Sequence, residues 1–178
     1  MILKKNNKLK LAFIVFIIML VIVCLLLCPI VRNNILLGKY ADQLYTIPLP
    51  SDSVQISQDK AVGNLYGTGN HLDFVAVIEI KTSLSESELA AYYSTKAVNV
   101  KSVEEISILG LDTSYPDTPI DHSVQQIEII PKQQARPVYG SSKIFYKADV
   151  IDYSIDTNLF IIQIKDTHYA SGWDLRTH

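Results

Sequence analysis

The residues able to do chemistry in this 178-residue chain are few and scattered. His71, His122, His168 and His178 make no pair at the helical spacing of metal ligands, and none accompanies a Gly-x-Ser-x-Gly turn. A Ser-His-Asp triad stays open, because triads are assembled in space and not along the chain. Asp112, Asp117, Asp121 and His122 crowd one stretch, and an oxygen-rich loop can hold calcium. They lack the Asp-x-Asp-x-Asp-Gly opening and closing glutamate of an EF-hand, so they read as turn formers beside Pro116 and Pro119. Asp149, Asp152 and Asp156 read the same way. Gly63-Asn64-Leu65-Tyr66-Gly67-Thr68-Gly69-Asn70 looks like a ligand loop, yet phosphate loops follow a strand and open a helix, whereas these glycines precede a strand. They are expected to supply positive φ in a hairpin or bulge. No catalytic, cofactor-binding or metal-ligating residue is assigned, and no cofactor is expected.

Aromatic residues offer a second kind of chemistry. Tyr92, Tyr93, Tyr139, Tyr146, Tyr153, Tyr169 and Trp173 could build an interaction surface or stack on glycans and peptides. Tyr92 and Tyr93 are read as the core face of a helix, and Gly172-Trp173 as closing an edge of the core.

What must position these residues begins with an anchor. Residues 11–31 are uncharged and apolar throughout and follow a tail carrying Lys4, Lys5, Lys8 and Lys10. At about 1.5 Å per residue the run reaches roughly 31 Å, the hydrocarbon thickness of a bilayer. Only Arg32 and Lys39 lie near its far end, so the positive-inside bias places the N-terminus in the cytoplasm and the rest outside. A cleaved signal peptide is the rival reading. Its apolar region is normally about 7 to 15 residues, and residues 32–41 lack the small-residue pair a peptidase needs. Lipidation would use Cys28, whose predecessor is the bulky Leu27. Cys24 and Cys28 are the only cysteines, so the exported part has no thiol.

Beyond the span lie 12 basic and 18 acidic residues, a formal charge of −6. That sign repels phosphate backbones and excludes nucleic acid as a natural partner. The chain has no N-glycosylation acceptor, which points toward a bacterial source. The expected organisation is a cytoplasmic basic tail (1–10), a transmembrane signal-anchor (11–31), a juxtamembrane stalk (32–47) and one extracytoplasmic domain (48–178). In the stalk, Leu37, Tyr40, Ala41, Leu44 and Tyr45 recur at helical spacing until Pro48 and Pro50 stop the helix. Strands are predicted at 53–57, 72–82, 100–109, 124–130, 144–153 and 159–165. The second is apolar on both faces and therefore central. A helix over 84–97 opens with Ser85 as N-cap, Glu88 completing a capping box and Leu84 stapled to Leu89. Successive strands without intervening helices imply antiparallel pairing, so the fold class is α+β, a mainly antiparallel sheet with one well-defined helix.

The Pro48-Leu49-Pro50 entry, the Gly67-x-Gly69-Asn70 turn, the 72–82 strand and the Leu84-Ser85-Glu86-Ser87-Glu88-Leu89 helix start give residues 1–97 a resemblance to a family. The chain resembles small N-terminally anchored exported proteins of Gram-positive bacteria, a group with no assigned activity. The resemblance implies no catalytic residues. The function expected is a single-pass membrane-anchored binding or scaffolding module, partnered by the bilayer through 11–31 and by an envelope protein or the cell wall. The alternative is an exported, membrane-anchored hydrolase with a site assembled in space.

Overall fold

One helix serves two environments. In the computed structural model, which describes residues 2–65, 72–97, 100–101, 103, 127–137, 145–149 and 151–169, α1 runs unbroken from Ile2 to Tyr45. It passes through Pro29, which removes one backbone donor and is tolerated in apolar helices where neighbouring groups re-satisfy the freed carbonyl. From Leu11 to Leu27 its large apolar side chains are exposed. From Asn33 onward one face is buried: Asn33, Leu36, Leu37, Tyr40, Ala41 and Leu44, spaced three and four apart. The helical spacing from Leu37 to Tyr45 therefore does mark helix, and its apolar face is packed into the protein core. The helix ends where Pro48 disfavours helical geometry at Ile47, and the Thr46 hydroxyl turns back to the Asp42 carbonyl at 2.7 Å.

A four-stranded antiparallel sheet takes that face. It is built from β1 (Ser53–Gly63), β2 (Leu72–Thr82), β3 (Glu128–Pro131) and β6 (Leu159–Tyr169), in the order β1-β2-β6-β3. Asp52, at φ 63°, makes the left-handed turn into β1. β2 has the predicted bounds and the central place that its two apolar faces require. Leu72, Phe74, Ala76, Ile78 and Ile80 of β2, with Phe160, Ile162 and Ile164 of β6, point to the helical side. They pack on α1 and on α2 (Glu86–Ala97). Tyr40 meets Phe74 edge-on at 6.4 Å, and Tyr45 donates its hydroxyl hydrogen to the Asp59 carbonyl, opposite Val77, at 2.6 Å. From Tyr40 to Tyr45 the helix thus climbs toward the Thr82 end of β2, and its exposed apolar part leaves past the Leu72 end.

Val75, Val77, Ile161 and Ile130 point to the other side. They are covered by a small ribbon of β4 (Ala135–Pro137) and β5 (Phe145–Lys147), joined to β3 by the 3-10 turn Lys132–Gln134. The architecture is helix, sheet and ribbon, and α+β describes it.

The strand expectations change in several places: the predicted 124–130 strand is observed as Glu128–Pro131, with 124–126 outside the described residues, and the predicted 159–165 strand runs four residues further, to Tyr169. β1 extends six residues beyond the predicted 53–57, and its register shifts by a bulge between Gln55 and Ser57. The predicted 144–153 strand shortens to β5; beyond it Asp152 and Asp156 bend the chain. In the predicted 100–109 strand, Val100 and Lys101 are irregular and Val103 is helical, its N–H held by the Asp166 carboxylate at 2.6 Å; the remainder lies outside the described residues.

Candidate functional site

Of the glycine stretch, Gly63 ends β1 and Leu65 follows it; residues 66–71, including Gly67, Gly69, Asn70 and His71, lie outside the described residues. The stretch joins two antiparallel neighbours, as a hairpin connection does. Gly63 corrects the reading of its glycines in one respect. Its φ lies outside the left-handed region, and a Cβ there would meet only the Leu65 side chain at 3.5 Å, an ordinary contact. The buried Asp73 opposite it accepts the Leu65 N–H at 2.7 Å, so this carboxylate holds the start of the turn in place.

The carboxylates near the end of the chain act as turn formers. Asp152 accepts the Ser154 N–H at 3.0 Å and its hydroxyl at 2.6 Å, and these bonds hold its carboxyl below the usual range. Asp156 accepts from the Lys81 ammonium at 2.8 Å and from the Asn158 N–H at 3.0 Å, with the same consequence. Both geometries are those of aspartates closing turns, one of them ion-paired to the neighbouring strand. Among the described residues no three of His, Cys, Asp or Glu gather to hold a metal ion. Asp112, Asp117, Asp121, His122, His178, Tyr139 and Trp173 lie outside the described residues, and for His168 only its place in β6 is described.

The tyrosine pair divides. Tyr93 is fully buried, as the core reading of the helix requires, and meets Tyr92 edge-on at 5.1 Å. Its hydroxyl has no hydrogen-bond partner among the described residues, and burial pushes its pKa up to about 12. Tyr92 is half-buried and donates its hydroxyl hydrogen to the Pro48 carbonyl at 2.6 Å, pinning the segment between α1 and β1 to α2. The Lys96 ammonium stands 5.6 Å from the centre of its ring. The capping box is present: the Ser85 N–H donates to Glu88 Oε2 at 2.7 Å, and the Glu88 N–H returns to Ser85 Oγ at 3.3 Å.

Sequence reasoning missed the polar groups that lock the layers together. Gln43 of α1 donates to the Lys101 carbonyl at 2.9 Å and accepts its N–H at 2.7 Å, holding the chain after α2 to the helix as a strand partner would. Gln163 is fully buried under the ribbon. Its amide donates to Glu128 at 2.6 Å and to the Phe145 carbonyl at 2.8 Å. Around it Lys165 pairs with Glu128, and Lys132 pairs with Glu79 at 3.3 Å while standing 5.1 Å over the Phe145 ring. A buried amide with all its partners is a structural clamp, because leaving any of them unmade costs the full desolvation of that group. Its only signal in sequence is a polar residue in the inward series of an apolar strand.

The most distinctive surface is therefore the exposed apolar length of α1. It is the one helix among the described residues long and apolar enough to cross a membrane. No family model, curated protein or solved structure matches this chain.

Proposed function

We propose that the chain is a single-pass membrane protein with its basic tail in the cytoplasm and its α+β domain outside the cell, acting as a binding or scaffolding module of the envelope. The observation that carries this reading is the bare helix surface. From Leu11 to Leu27 side chains such as Leu11, Phe13, Phe16, Met19 and Leu25 are more than half exposed. An apolar stripe of that size in water would oppose folding as a monomer, whereas in hydrocarbon it is satisfied. The four tail lysines against the sparse Arg32 and Lys39 support the orientation.

A binding role, with an envelope protein or the cell wall as partner, is favoured over a hydrolase because Asp152 and Asp156 are engaged in turns, Glu88 in a cap and Tyr92 in pinning the chain at Pro48. Confinement to a membrane plane also lets weak contacts act at high effective concentration. Protease added to intact protoplasts should remove the domain and leave a short tail-and-anchor fragment. Full protection of the domain would reverse the orientation. Crosslinking in cells should recover the domain joined to an envelope component; turnover of an ester, peptide or glycoside by the purified protein would favour the hydrolase.

A further inference from the structure

The apolar exposure of α1 does not stop at one level around the helix. On the side facing the sheet, burial by the domain starts at the half-covered Pro29 and Ile30 and is complete at Asn33. On the opposite side, Leu27, Val31 and Ile35 form one stripe at four-residue spacing, exposed by 51%, 56% and 52%. The exposed Lys39 continues that stripe one turn higher. Lipid-type surface thus runs about 9 Å further along the far side than along the sheet side, at about 1.5 Å per residue. A flat bilayer surface can meet a helix at two heights only if the helix is tilted. Across a helix about 10 Å wide this offset corresponds to a tilt of roughly 40°. The length from Leu11 to Ile35 leads to a similar figure: about 37 Å of helix fits about 30 Å of hydrocarbon at a tilt of roughly 35°. Both figures lie near the upper end of observed tilts.

We propose that the outer leaflet covers α1 up to Ile35 on the side away from the sheet, so that the domain sits directly on the lipid headgroups with Lys39 at the level of the phosphates. The proposal rests on the membrane-anchor reading and extends it upward by about one turn. Its occupant is lipid, because the stripe is continuous with the anchor surface and ends in a cation, the order in which a bilayer presents hydrocarbon and then anionic phosphate. No stretch of α1 separates anchor from domain, since Asn33 is already buried two residues beyond the apolar run.

The test uses the full chain with Cys24→Ala and Cys28→Ala, carrying a nitroxide label at one of Leu20→Cys, Val31→Cys, Ile35→Cys or Asp42→Cys. The protein is reconstituted in vesicles of phosphatidylcholine and phosphatidylglycerol. Collision with oxygen, which concentrates in hydrocarbon, is compared with collision with a water-soluble nickel chelate. The expected result is oxygen dominance at Leu20, Val31 and Ile35 and chelate dominance at Asp42. Chelate dominance at Ile35 with oxygen dominance at Leu20 would overturn the proposal and leave the anchor standing. Chelate dominance at Leu20 would remove the anchor itself. A label at Ile35 that is immobilised and shielded from both reagents would show protein, not lipid, on the stripe, and would also overturn the proposal.

Discussion

Cutting the chain at Pro48, the boundary that its two prolines suggest, should destroy the domain. The fragment 48–178 loses Leu36, Leu37, Tyr40, Ala41 and Leu44, all within the main core. Burial of a large apolar side chain contributes about 1.5–3 kcal/mol, so the three leucines and the Tyr40 ring together contribute roughly 6–12 kcal/mol. That matches the entire stability of an ordinary domain, about 5–15 kcal/mol. The cut also bares Phe74 and its neighbours on the inner face of the sheet and removes both Gln43 bonds to Lys101. A fragment 32–178 keeps every one of these contacts and discards the tail, the exposed apolar length and the half-covered Pro29 and Ile30. Both fragments should be compared by thermal melts followed by circular dichroism and by amide proton dispersion. The 32–178 fragment should melt cooperatively, while 48–178 should show a collapsed or aggregated state with no transition. A cooperative melt and native dispersion for 48–178 would refute the reasoning, because the helix face would then add nothing essential.

Tyr93→Phe should stabilise the protein by about 1 kcal/mol, since it removes a buried hydroxyl without a partner among the described residues, and Tyr93→Ala should cost about 3–5 kcal/mol through the cavity; denaturant midpoints of 32–178 check both. Ser85→Ala should cost about 1 kcal/mol through loss of the cap, measured the same way. Glu88, Asp152 and Asp156 all have carboxyls held below their ordinary values of 4.5, 3.8 and 3.8 by hydrogen bonds. A depressed folded pKa stabilises above the unfolded value and is lost as pH falls through the folded one, so stability should be flat from neutral pH to about 4.5 and fall below it. In a pH series of melts, Glu88→Gln should flatten the upper part of that fall.

What the sequence makes legible is what local chemistry decides. β2 shows its bounds and its central place because both its faces are apolar, and α2 shows its start because Ser85 and Glu88 satisfy each other's backbone. The helical spacing of Leu37, Tyr40, Ala41 and Leu44 is equally plain, but spacing does not say what covers a face, and only the sheet reveals this helix end as core. β1 hides its length because it is an edge strand exposed from Val54 to Lys60, and the bulge at Ile56 breaks its alternation. β4 hides because Pro137 marks a turn by composition while sitting at the end of a short ribbon strand, where no inner ladder bond is demanded of it. The partners of Gln163 and Gln43 are invisible beforehand, since they are backbone groups and side chains far away in sequence.

In the proposed topology one helix crosses the membrane and carries the domain outside. That topology is tested most directly by single cysteines in a chain whose Cys24 and Cys28 are replaced by Ala, treated with a membrane-impermeant thiol reagent on intact cells. Tyr153→Cys, at a position 87% exposed in the domain, should react at once, and Lys5→Cys in the tail should react only after the cells are opened. Immediate reaction at Lys5→Cys with protection at Tyr153→Cys would contradict the account.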